Sequence, residues 1–211
     1  MLTFFYSTQT CSTAIHIALE EAGLPFNGIE VSWKRKENVA ELESANPLGQ
    51  VPVLVQDGKT LNQSIAILEY IAEQASTKNL LPPVGSWERA YAQSWLAFIG
   101  ADFQKSFWPM FMASRWTTDT NVQMEIRKSV IAGMDKHLTY INEGLAGKDF
   151  ILGKQFSLVD AYLFTILGWC KWSEVKLSTY KNITPYLKRV YERAAVQKVL
   201  AKEEMLDFIP G

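Results

Sequence analysis

Cys11 is the side chain best suited to chemistry in this 211-residue sequence, because of where it stands. A short apolar run, Leu2 to Tyr6, stops just before it, and an amphipathic pattern with Ile15, Ala18, Leu19 and Ala22 on one face starts just after it. That is the junction between a strand and a helix. Unpaired N–H groups and the positive end of the helix dipole favour an anion there, so the position predicts a stabilised thiolate. The competing role is that of a small buried hydrophobe, the usual state of a free cysteine. Cys11-Ser12-Thr13-Ala14 lacks the second thiol of a C-x-x-C motif, which closes off an internal disulfide cycle. Cys170, the other cysteine, lies in the apolar run that begins at Leu163 and reads as core. A reactive Cys11 therefore needs a thiol partner from outside the chain. The loop also lacks a G-x-G-x-x-G pattern, against dinucleotide binding.

Three further stretches bear on that outside partner. Gln50-Val51-Pro52 opens a strand, where a proline leaves neighbouring backbone groups available to a ligand, or simply marks an edge strand. Gln63-Ser64 opens a helix, where N–H groups and a hydroxyl hold a carboxylate, or simply cap the helix. Lys34-Arg35-Lys36 offers a cation for a second carboxylate, or a solvated loop. Together they describe a peptide-like ligand with two carboxylates and a thiol. The two histidines read as bland: His16 as a packed or capped residue one turn into the first helix, His137 as solvent-facing. Neither has a carboxylate and a nucleophile at triad spacing.

The elements that must position these groups fall into two kinds. Strand character at Leu2–Tyr6, Phe26–Ser32, Val51–Val55 and Lys59–Asn62 alternates with helical periodicity at Ser12–Ala22, ended by Gly23, and at Gln63–Ala75. Asp57-Gly58 marks a hairpin turn. This is an α/β unit with a mixed four-stranded sheet, expected over residues 1–76. A Pro/Gly-containing linker over 77–86 precedes an all-helical unit over 87–211, with helices at Trp87–Met112, Val122–Leu145, Ser157–Lys171 and a pair between Thr184 and Met205. Ser157-Leu158-Val159-Asp160 is a capping box that should nucleate a central helix.

Composition narrows the function classes. Lys and Arg number 21 against 22 Asp and Glu, which argues against a polyanion-binding surface. No positive leader precedes the first apolar run, no apolar stretch approaches the ~20 residues of a membrane span, and two cysteines make neither a disulfide framework nor a thiol set for structural zinc. No metal, nucleic-acid or membrane partner is expected, and a reducing cytoplasm is the expected location.

Over essentially its whole length the chain resembles a cytosolic glutathione transferase, most closely the bacterial beta-type members. The resemblance is carried by Tyr6, Cys11-Ser12 and His16, by Asn46-Pro47-Leu48-Gly49-Gln50-Val51-Pro52-Val53-Leu54, by Gln63-Ser64-Ile65-Ala66-Ile67, and by Phe156-Ser157-Leu158-Val159-Asp160-Ala161-Tyr162-Leu163-Phe164. It implies a thioredoxin-like domain followed by an all-α domain, assembled as a homodimer that detoxifies electrophiles. Carried over residue by residue, Cys11 and Tyr6 would be the catalytic pair. Gln50, Val51 and a cis Pro52, with Gln63, Ser64, Lys36, Gln104 and Lys105, would hold glutathione as co-substrate. Phe107, Met110, Phe111 and Trp169 would wall the pocket for the hydrophobic substrate, although aromatic and Met residues at helical spacing also pack as ordinary core. Ala97 and Gln104 stand where relatives commonly carry asparagine and histidine, which removes a proton-exchanging group and implies weak transferase activity. Two alternatives share the resemblance: a glutathione-dependent thiol-disulfide oxidoreductase working through a mixed disulfide at Cys11, and a non-catalytic binding or regulatory protein.

Overall fold

The structure is a computed structural model that describes residues 1–173 and 175–208; residues 174 and 209–211 of the expected helical unit lie outside the described residues. Strand β1 (Leu2–Tyr6) pairs in parallel with β2 (Phe26–Glu30), across a crossover through helix α1 (Ser12–Ala22). On its other edge β1 pairs antiparallel with β3 (Val53–Gln56), which continues to β4 (Lys59–Asn62), giving the order β2-β1-β3-β4. The β3–β4 turn works because both central residues take positive φ, Asp57 at 51° and Gly58 at 75°, matching the twist of the hairpin.

Alternation along β1 decides what lies on each face of the sheet. Leu2, Phe4 and Tyr6 enter the main core, whereas Phe5 joins Val31, Leu42 and Val53 in a smaller one. Helix α2 (Val39–Ala45) supplies Leu42 to that smaller core. No apolar period announces this helix, since it buries one residue. Expected and observed strands differ at three ends: β2 stops at Glu30, with Ser32 bridged separately to Glu37, and β3 starts at Val53 and runs to Gln56.

Helix α3 (Ser64–Gln74) closes the first unit, and α4 (Trp87–Ala97) opens the second. The long helix expected to Met112 is broken. A π-helical stretch at Phe98–Phe103 follows α4, then two short helices, α5 (Gln104–Ser106) and α6 (Trp108–Phe111), the latter with Pro109 in its first turn. Proline removes a helical donor and crowds the preceding turn, which accounts for the break near Phe107. Helices α7 (Thr120–Gly133) and α8 (Asp135–Gly144) replace the single expected stretch. All of α9 (Leu158–Ser173) is buried except Lys171 and Trp172, and α10 (Ile183–Tyr191) and α11 (Ala194–Lys202) complete the bundle. The box at the start of α9 forms: the Ser157 N–H and hydroxyl both donate to Asp160, each at 2.8 Å, and Asp160 also accepts the Ile151 N–H at 2.8 Å. Among the described residues no helix is long and apolar enough to cross a membrane.

Helix α1 joins the two units by packing on α3, α9 and α11. At the end of α11 the Glu203 carboxylate, 2% exposed, accepts from the Thr13 hydroxyl at 2.7 Å and lies 2.7 Å from Nδ1 of His16. His16 is thus packed, as expected. His137 is not solvent-facing: its half-buried ring lies against Phe98 and Phe103, and burial holds its pKa below the usual value. Truncation of Glu203 to alanine strands two buried polar groups, so Glu203→Ala should lose about 3 kcal/mol in urea unfolding. A loss within ~0.5 kcal/mol would show that water or repacking replaces the carboxylate.

Candidate active site

The loop before α1 is fixed by its own hydroxyls. The Ser7 N–H donates to Ser12 Oγ at 3.0 Å, the Thr10 hydroxyl donates to the Ser7 carbonyl at 2.8 Å, and the Ser12 N–H donates to Thr10 Oγ1 at 3.2 Å. From the far end of the chain, Sδ of Met205 accepts the Gln9 N–H at 3.3 Å. Cys11 follows, half-buried and immediately before the first turn of α1, with its sulfur 3.9 Å from the Val51 carbonyl.

The state of that thiol departs from the expectation drawn from the helix end. Burial pushes the Cys11 thiol above its ordinary value, and this outweighs the opposing pull of hydrogen bonds from Ser64 and Gln104, of its own N–H, and of the Lys105 charge. Desolvation wins because the sulfur sits between the two units and not on an open helix terminus. Cys170 is 1% exposed, with its thiol pushed up by burial to about 12, in keeping with a core role.

The first unit brings three more elements to the sulfur. Asn46, 3% exposed, holds the preceding turn by donating from Nδ2 to the Gln50 carbonyl at 2.9 Å. Gln50 is exposed, Val51 is half-buried, and the Val51–Pro52 peptide is cis. At the start of α3, Ser64 is buried while Gln63 is exposed and held at φ 72°, a left-handed conformation that costs a non-glycine residue on the order of 1–3 kcal/mol. In the basic run, Arg35 is occupied: Nε lies 2.6 Å from Glu37 and a terminal nitrogen 3.0 Å from Glu30. Lys34 and Lys36 are exposed and have no carboxylate partner among the described residues.

From the second unit come Gln104 and Lys105, immediately after the π-helical stretch. The Tyr162 hydroxyl on α9 donates to Gln104 Oε1 at 2.5 Å. Tyr162 belonged to a motif noted in the sequence, but nothing in its spacing relates it to Cys11, 151 positions away. Tyr6 goes elsewhere. Its ring stacks on Phe4 at 5.5 Å and lies 4.9 Å from His16, and burial with nearby Glu30 and Glu203 pushes its phenol up to about 12.

Three of the four expected pocket residues meet ring to ring, and the fourth, Met110, is buried in the same core. Phe107 stacks on Phe111 with centroids 5.9 Å apart, and both meet Trp169 edge-on, at 5.7 and 5.5 Å. Phe107, Met110 and Trp169 are buried, whereas Phe111, 42% exposed, offers surface, as do Trp108 in the same short helix and Trp116 shortly after it in sequence. Lys105 and Arg115 each lie 5.4 Å from the Trp108 ring.

Comparison with known proteins bears on the fold and the family. Residues 3–73 match the glutathione S-transferase N-terminal domain family and residues 114–193 the glutathione S-transferase C-terminal domain family. The chain is 35% identical to glutathione S-transferase GstA of Escherichia coli O157:H7 over 205 residues, 96% of this chain and 98% of that protein. Among solved structures, a sphingomonad glutathione S-transferase complexed with glutathione is 33% identical with a TM-score of 0.85, covering 96% of this chain and 99% of the other. The beta class glutathione S-transferase of Sphingomonas chungbukensis is 32% identical, with the same TM-score and coverage. A mixed sheet joined to a helical bundle and sequence identity sustained from end to end lead to one conclusion: the chain belongs to the cytosolic glutathione S-transferase family and is a glutathione transferase.

Proposed function

We propose that this transferase joins the sulfur of glutathione to small hydrophobic electrophiles, with Cys11 acting as a protonated hydrogen-bond donor to the glutathione thiolate. The observation that carries the reading is the convergence on one sulfur of Val51 and Ser64 from the sheet unit and Gln104 and Lys105 from the helical unit. A thiol kept neutral by burial has a proton to offer. Donating it to a neighbouring thiolate lowers the pKa of that partner, so more of the nucleophile is present at neutral pH. Gln50, Val51 and Pro52 would take the central part of the tripeptide, Gln63 and Ser64 its γ-glutamyl end, and Lys36 the glycine carboxylate. Occupation of Arg35 by two glutamates supports Lys36 over its neighbour. The rings at Phe111, Trp108 and Trp116 would receive the electrophile over the buried Phe107, Met110 and Trp169. The sheet unit would end near residue 76 and the helical unit begin near 87. A homodimer in the cytoplasm of a bacterium, serving detoxification, completes the reading; the two free cysteines are consistent with a reducing compartment.

A second reading, a mixed disulfide between Cys11 and glutathione, is favoured by the partial exposure of Cys11 and opposed by its raised thiol, since exchange requires a thiolate. Three outcomes separate and test the two. With glutathione and an aryl halide, Cys11→Ala should lower kcat/KM about tenfold or more while the KM for glutathione changes less; an unaltered kcat/KM removes Cys11 from catalysis. Without glutathione, the rate of Cys11 alkylation by iodoacetamide should keep rising beyond pH 9, because a raised pKa places the thiolate above the ordinary thiol range; a plateau by pH 7 would favour the mixed disulfide. Gln63→Gly relieves the left-handed backbone, so it should preserve or raise the Tm while weakening retention on immobilised glutathione. Retention equal to the parent would take Gln63 out of the binding site.

A further inference from the structure

The Tyr162 hydroxyl lies at the meeting point of the two units and has no assigned role. It donates to Gln104 Oε1 at 2.5 Å, and the Gln104 side chain is one of the groups that pull the Cys11 thiol downward against burial. The geometry points to Tyr162 as a positioning residue that fixes the carboxamide of Gln104 with its nitrogen turned toward Cys11. This deepens the transferase reading and rests on it for the role of the sulfur.

An amide is two-faced, with an acceptor on one side and two donors on the other. Left to itself, Gln104 could present either face to the sulfur, and a carbonyl oxygen there would oppose a thiolate. Tyr162 settles the choice. Its phenol is held well above the ordinary value, mainly by burial and further by the Cys11 sulfur, so the hydroxyl keeps its proton and must donate it. The 2.5 Å contact directs the Tyr162 proton at Gln104. With Oε1 occupied, the amide nitrogen is what remains for Cys11. The titratable groups that face Cys11 among the described residues are then Lys105 and Tyr162.

Two features of the fold hold Tyr162 in place. The π-helical stretch Phe98–Phe103 ends directly at Gln104, and a π-turn inserts an extra residue that rotates whatever follows around the helix axis. Gly100 within that stretch leaves the necessary room: a Cβ there would lie 3.2 Å from the Tyr162 hydroxyl and 3.2 Å from Cδ1 of Ile65. Glycine at this position lets the α9 side chain and the start of α3 approach the same point.

The test reads the Cys11 thiol itself, so it needs no turnover and stands or falls apart from the transferase reading. The pH dependence of Cys11 alkylation by iodoacetamide is followed by peptide mass spectrometry for the parent, Tyr162→Phe, Gln104→Ala and the double variant. Tyr162→Phe should move the midpoint upward by about one pH unit, a tenfold fall in rate below the midpoint. Gln104→Ala should give a shift of similar size, and the double variant no more than either alone. A Tyr162→Phe profile that coincides with the parent, shifts that add in the double variant, or a Gln104→Ala profile without a shift each overturn the proposal. Should Tyr162→Phe fail to fold, Gly100→Ala crowds the same hydroxyl. It should raise the midpoint as well, and an unmoved midpoint there also overturns the proposal.

Discussion

Removing the Glu203 carboxylate from water is the constraint on which the position of the thiol depends. An isolated carboxylate in a protein interior costs several kcal/mol, so it is retained only where donors surround it. Thr13 and His16 supply them, and both belong to the first turns of α1. The pairing cannot be satisfied unless α1 lies against the end of α11. Once it does, the residue immediately before α1 has little freedom. The aromatic rings of Phe4, Tyr6 and Phe26 close around His16, which makes the carboxylate site part of the main core as well.

From that anchor the site assembles in two directions. The sheet unit contributes backbone at Val51 and a hydroxyl at Ser64, both set by short, conformationally special segments: the turn held by Asn46 and the left-handed Gln63. The helical unit contributes Gln104 and Lys105 through an irregular stretch in an otherwise helical run. Strain and irregularity thus gather around one sulfur while the surrounding helices remain regular, a distribution expected where geometry serves chemistry more than stability. The same arrangement gives the thiol its character. Two units closing over it remove water more effectively than one helix terminus supplies positive potential.

Much of the frame was legible in the residues. β1, α1 and β4 fall where alternation, helical periodicity and the hairpin turn put them. Asp57-Gly58 and Ser157 to Asp160 are local devices, and local devices survive reading one chain. What escaped were features decided by distant partners. α2 buries only Leu42, His137 is covered by rings from the π-helical stretch, and Tyr162 finds Gln104 across 58 positions. The direction of the Cys11 shift escaped for the same reason: the helix end is visible in sequence, the bulk that buries it is not. Pro109 is a visible signal for the helix break, set within an apolar pattern that runs on either side of it.

The contact between Gln9 and Met205 crosses 196 positions, and those of Glu203 with Thr13 and His16 cross 190 and 187. The segment around Cys11 is therefore held by residues that leave the ribosome long after it. The sheet unit can form its own hairpin and crossover before the groups that meet Cys11 from the helical unit, Gln104 and Lys105, have emerged. The water-poor surroundings that set the state of that sulfur are a property of the finished fold and not of the segment that carries it.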